Sequence, residues 1–70
     1  MADHTHVVNE IVGTSSESAD EAIRSGIDRA SRTLRNLDWF EVVATRGMIR
    51  DGKVGYYQVT LKVGFRVEDA

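Results

Sequence analysis

From Tyr57 to Val67 every second residue is apolar. Tyr57, Val59, Leu61, Val63, Phe65 and Val67 fall on one side, and Gln58, Thr60, Lys62, Gly64 and Arg66 on the other. Only an extended chain keeps a period of two, so this segment predicts a strand with one buried and one polar face. Such a strand needs a cover, and the sequence offers one. Ala19, Ile23, Ile27, Ala30, Leu34 and Leu37 recur at intervals of four, four, three, four and three. That is a single apolar stripe on a helix about 30 Å long. Ser18-Ala19-Asp20-Glu21 fits a capping box, with Asp20 and Glu21 in the first turn and Arg32 and Arg35 near the last, matching the helix dipole. Asp20–Arg24 and Asp28–Arg32 are expected as ion pairs one turn apart. Gly26 and Ala30 flank the stripe and allow a sheet to approach closely.

Two further strands frame these elements. His6 to Val12 is rich in Val and Ile and is closed by Gly13, after which Gly13 to Ser18 reads as a loop. Trp39 to Ile49 is β-rich, and Asp51-Gly52 supplies a two-residue hairpin turn of the kind that needs positive φ. The order is therefore β-α-β-β. A helical return makes the first two strands parallel to each other, and the hairpin makes the third antiparallel to the second. The simplest sheet inserts the third strand between them. The expected fold is α+β: one domain over residues 1–70, with a three-stranded antiparallel sheet of order 1-3-2 curled around one long helix.

One helix cannot cover three such strands, and two edge strands stay open, which natural proteins avoid. The chain of 70 residues has no cysteine, so it holds no disulfide or thiolate metal site. A chain this short buries only about 60 % of its unfolded surface. Self-association is the expected remedy. Hydrophobic residues make up 41 %, which argues against disorder.

Nine basic against eleven acidic residues give a net charge of −2 and a pI near 5.5, with no Lys/Arg block. This disfavours nucleic acid as a partner. No apolar run approaches the roughly 20 residues of a membrane span. Met1-Ala2-Asp3-His4 shows no secretory pattern, so a cytoplasmic setting is expected. Seven arginines against two lysines favour forked contacts with carboxylates or phosphates.

Few residues invite chemistry. Trp39, the one tryptophan, stands at the helix-to-strand junction beside Phe40. In an alternating strand, Phe40 in the core turns Trp39 outward with Glu41 and Val43. Isolated tryptophans more often fill an interface or core edge; the functional alternative is a stacking platform for a flat ligand. Gln58 lies on the polar face of the third strand, where its amide can serve a heteroaromatic edge or simply be solvated. Arg46 and Arg66 can bind a phosphate bidentately, or pair with Glu10, Glu41 or Glu68. His4-x-His6 places two imidazoles on one side of a strand, but no third ligand lies within sequence reach, so no metal is expected. Thr14, Ser15, Ser16 and Ser18 suit turns and caps, with no histidine placed as a base. Asp38 and Glu41 give no acid/base signal. No phosphate-binding glycine loop is present, and catalysis is not expected.

Several separated strings nevertheless agree with one family. Glu10-Ile11-Val12-Gly13-Thr14-Ser15, Leu37-Asp38-Trp39-Phe40-Glu41-Val42, Arg46-Gly47, Tyr57-Gln58-Val59 and Val63-Gly64-Phe65-Arg66-Val67 closely resemble the dodecins, small bacterial and archaeal flavin-binding proteins. The resemblance runs from about residue 6 to residue 68. It implies a hollow homododecamer that binds flavins in antiparallel pairs between symmetry-related tryptophans, for storage, buffering and photoprotection rather than turnover. It implies the stacking role for Trp39 and a hydrogen bond to the isoalloxazine edge for Gln58. It assigns Arg46 and Arg66 to the FMN phosphate and nearby anionic groups, as in the FMN-binding bacterial branch, with riboflavin as a further ligand. Bacterial members also imply coenzyme A near the three-fold interfaces, with no residue assigned to it. One departure is His6, where many members carry tyrosine. Two rivals stand beside this reading: an enzyme of flavin chemistry, and a structural or protein-interaction homo-oligomer without flavin.

Overall fold

The computed structural model describes residues 3–67, arranged as β1 (His6–Ser15), α1 (Ala19–Ala30), β2 (Leu37–Arg50) and β3 (Lys53–Arg66). The sheet is antiparallel throughout, in the order β1-β3-β2. This is the topology predicted from the sequence. Asp51 (φ 54°) and Gly52 (φ 76°) form the tight turn that joins β2 to β3. In β3 the odd-numbered face is the buried one: Val59, Leu61 and Val63 are almost wholly inside.

The helix begins as expected. Ser18 Oγ accepts the Glu21 backbone N–H at 3.1 Å, and Arg32 pairs with Asp28 at 3.0 Å. Arg24, however, reaches Glu21 at 3.4 Å rather than Asp20. The helix also ends about two turns early. It has 12 residues, about 18 Å of rise, and Leu34 and Leu37 lie outside it. The cause is local. The Ser31 hydroxyl donates to the Asp28 carbonyl at 2.8 Å and that of Thr33 to the Ala30 carbonyl at 3.4 Å. The backbone N–H groups of Arg32 and Thr33 bond three residues back instead of four, so the last turn tightens and unwinds. Asn36 then takes a left-handed conformation (φ 61°) that turns the chain into β2.

α1 packs on β1 and β3 at glycine contacts. A Cβ on Gly13 would stand 2.0 Å from the Ala22 carbonyl oxygen and 3.2 Å from the Gly26 Cα. Backbone therefore meets backbone, and Ala22, Val59 and Leu61 are sealed behind the contact with Ile11, Ala19, Ile23 and Ile27 around them. Strand β2 lies beyond this cover and is exposed from Asp38 to Arg50. The molecule is accordingly long, 55 × 20 × 14 Å, with a radius of gyration of 14.6 Å. A monomeric domain of this length has about 11 Å. Its accessible surface of 5303 Å² also exceeds the roughly 4,400 Å² expected of a 7.8 kDa monomer. The surplus is apolar β surface: Val42, Val43, Met48, Ile49 and Val54 are all at least 44 % exposed. Gly13→Ala is expected to lower stability by about 1–3 kcal/mol, because the new methyl meets rigid backbone. An unchanged denaturation midpoint would show that the helix can lift away freely.

Candidate functional site

The side of the sheet away from α1 gathers the singled-out residues. It is defined by the even-numbered residues of β3, and antiparallel partners share a face. Gln58 pairs with Arg46 of β2, Gly64 with Trp39, and Arg66 with His6 of β1. Trp39, Arg46, Gln58 and Arg66 therefore occupy one face, while Phe40, expected in the core, lies opposite Val63 on the other side and is 48 % exposed.

Plain alternation would not have put them there. Trp39 and Arg46 are an odd number of residues apart, which in a regular strand places them on opposite sides. A bulge between Val42 and Ala44 shifts the phase and carries Arg46 to the tryptophan side. A second irregularity between Leu37 and Trp39 leaves Asp38 as an extra residue, with Leu37 opposite Phe65 and Trp39 opposite Gly64. The second bulge thus frees Asp38 from the ladder.

Gly64 is the seat of the indole. A Cβ there would lie 2.2 Å from Trp39 Cε2, so the ring rests flat on the β3 backbone and leaves this glycine buried. Trp39 remains 43 % exposed, with its other face outward. Beside it, His6 Nε2 donates to Asp38 Oδ2 at 2.9 Å, and the imidazole lies 6.3 Å from the indole centroid at 42°. The His6 bond holds the Asp38 carboxyl below its ordinary value. Desolvation opposes this, and the charges of Arg66, His6 and His4 add to the lowering. Neither His6–Asp38 nor the Gly64 seat was singled out from the sequence. Gly64 interrupting an otherwise β-rich strand was the one available signal.

The four residues do not converge within one chain. Gln58 lies six residues from Gly64 along β3, about 20 Å at 3.4 Å per residue. Arg46 stands with Gln58 at one end, and Arg66 with Trp39 at the other. Among the described residues, neither arginine makes an ion pair with Glu10 or Glu41; Glu68 lies outside the described residues. No group of three potential metal ligands occurs among the described residues. A hollow of about 130 Å³ beside Trp39, lined also by Ile27, Phe40 and Val63, is smaller than the 300–1,000 Å³ typical of ligand pockets. A larger groove of about 490 Å³ runs between β1 and α1, lined by Gly13, Arg29 and their neighbours, and touches none of the four. No described helix is long and apolar enough to cross a membrane.

Comparison with known proteins agrees with this fold. The sequence model of the family described as Dodecin matches residues 6–68. A dodecin from Thermus thermophilus is 53 % identical over 60 residues, covering 86 % of this chain and 87 % of its own length. The structure of a dodecin from Streptomyces davaonensis superposes with a TM-score of 0.94 at 59 % identity, covering 97 % of this chain and 100 % of that one. Three structures of single-substitution variants of the T. thermophilus dodecin, two arginine-to-alanine and one tryptophan-to-phenylalanine, match at 46 % identity with TM-scores of 0.90 to 0.92, each covering at least 96 % of this chain and 100 % of its own. The chain belongs to the dodecin family.

The lowered acidity range of Asp38 gives a pH prediction. Its folded-state pKa lies below the unfolded value near 3.8, so its contribution is complete above that pH and is lost as pH falls through the folded value. Asp38→Asn is expected to destabilise the protein at pH 7 but to match the native chain in strong acid. Parallel denaturation curves at pH 7 and pH 2 check this, and a stability difference that persists at pH 2 would refute it.

Proposed function

We propose that this protein binds flavin without catalysing its chemistry, stacking FMN or riboflavin in pairs between Trp39 residues of neighbouring subunits in a homododecameric shell. The observation that carries the proposal is the indole itself. It lies flat on Gly64, open on one face, on a side of the sheet that also carries Gln58 and two arginines. These residues fit a planar, electron-poor ring with a phosphate tail. Trp39 supplies an electron-rich stacking plane. Gln58 offers a donor and an acceptor to a ring edge. Arg66, at the tryptophan end, suits a phosphate on the same molecule, and Arg46 suits an anionic group near Gln58. The 20 Å between Trp39 and Gln58 means that one ring meets the tryptophan of one subunit and the glutamine of another. The substituted tryptophan and arginines of the Thermus dodecin variants stand seven and twenty residues apart, the same intervals as Trp39, Arg46 and Arg66.

A bound flavin would supply a light-absorbing, electron-poor ring, and the Trp39 indole stacked on it would be the electron donor that quenches its excited state. Stacking on both faces leaves no approach for a substrate, and no described side chain is placed as an acid or base beside the indole except the Asp38–His6 pair, whose members bond each other. The role is storage, buffering and photoprotection, in a cytoplasmic setting. A homo-oligomer without ligand is the second reading, favoured by the bare apolar surface of β2.

Addition of the protein to FMN is expected to quench most flavin fluorescence, and Trp39→Ala to abolish most of the quenching. A colourless dodecamer that leaves FMN emission unchanged would establish the second reading instead. A separate titration distinguishes the tail from the ring: Arg66→Ala should weaken FMN about tenfold, the scale of a charge-assisted contact, and riboflavin little. Equal losses would show that Arg66 acts through the fold.

A further inference from the structure

The bond between His6 and Asp38 joins the two edge strands of the sheet across its central strand. Strands β1 and β2 are each paired to β3, so their backbones stand about 9–10 Å apart. They meet at the end of the sheet, where His6 stands opposite Arg66, two residues beyond the Gly64–Trp39 pair, while the indole fills the space over Gly64. The irregularity at Asp38 turns its carboxylate out of the ladder, and His6 reaches it at 2.9 Å. The indole is thus bounded below by the Gly64 backbone and at its flank by an imidazole that is itself tied down.

We infer that His6 and Asp38 form a clasp that positions the indole of Trp39 as a preset stacking plate for a planar heteroaromatic ligand. The inference rests on the flavin reading for the identity of that ligand, but not for the clasp. Indole rotation about its side-chain torsions is the freedom that stacking must remove, and removing it in advance raises affinity. The pair is half-exposed, with 29 % of the His6 and 42 % of the Asp38 side chain accessible, so its effect is modest. A loss of about fivefold in affinity is the scale that such a contact carries. His6 and Asp38 are positioning residues: they act through Trp39.

The test compares the assembled protein with His6→Phe, which keeps a ring but cannot donate, and with His6→Gln, whose amide nitrogen stands near the place of Nε2. Riboflavin is the probe, because it lacks the phosphate that Arg66 and a charged His6 would both attract. Riboflavin fluorescence is titrated, oligomer mass is measured by native mass spectrometry, and the emission anisotropy decay of Trp39 is recorded without ligand. His6→Phe should bind about fivefold more weakly and show fast local indole motion, whereas His6→Gln should stay within about twofold of the native protein and keep the indole still. A His6→Phe protein with native affinity and a native anisotropy decay would overturn the clasp. So would a His6→Gln protein as weak and as mobile as His6→Phe, because the bond would then not be the cause. If the native protein fails to quench riboflavin, the flavin reading falls, and the anisotropy decay alone decides the clasp. Should His6→Phe not assemble, Asp38→Ala takes its place with the same expected readings and the same overturning result.

Discussion

A backbone-to-backbone contact governs the architecture: Gly13 of β1 lies against Ala22 and Gly26 of α1 with no room for a methyl group. Because the helix is drawn in over β1, its apolar stripe covers Ile11 and Gly13 of β1 and the middle of the central strand β3, and stops there. Strand β2 keeps its pairing but not its cover. Val42, opposite the buried Leu61, is left bare on the helix side, whereas Met48, opposite Tyr56, lies on the side that α1 does not cover. A helix seated over β3 alone would have covered both flanks thinly and left no such broad face. Edge strands and apolar patches of this extent are what association removes. The elongated shape is therefore the shape of a subunit.

The fold was largely legible because two periodicities carry it. The alternation from Tyr57 to Val67 fixed the central strand, and the stripe from Ala19 to Ala30 fixed the helix. Beyond Ala30 the same stripe misled. Leu34 and Leu37 continue the helical spacing, but the Ser31 hydroxyl takes the Asp28 carbonyl and the N–H groups of Arg32 and Thr33 bond three residues back. Spacing reports which side a residue would face if the helix continued; it does not report whether the backbone bonds survive. The glycine contact was anticipated from the helix side only. Gly13 reads as a strand terminator in the sequence, and its partner emerges only when the helix lies across it.

The candidate site was legible in its residue types and much less in its arrangement. Trp39 and Arg46 share a face with Gln58 and Arg66 because the bulge between Val42 and Ala44 resets the alternation of β2, and no local motif announces it. Bulges arise from a mismatch in the pairing of two strands, a relation between distant segments that single-strand patterning cannot contain. The same holds for His6 and Asp38, which meet across 32 positions of sequence. Read separately, one belonged to a His4-x-His6 pair with no third metal ligand in reach, and the other was a carboxylate with no acid/base signal.

The separation of Trp39 from Gln58 along β3 couples binding to assembly. In a lone chain the stacking plate and the amide are too far apart for one ring system, so the proposed flavin site has no monomeric form. A ligand that binds only the assembled state stabilises that state by RT ln(1 + [L]/Kd), about 2.7 kcal/mol at a hundredfold excess over Kd. For a chain whose own core is Ala22, Val59, Leu61 and little else, that is a substantial fraction of the 5–15 kcal/mol typical of a folded domain. On this reading the same bare β2 face that destabilises the isolated subunit brings two halves of the site together. Shortness and function have one cause, because a longer chain with a second helix over β2 would be stable alone and would bury the surface on which neighbours must meet.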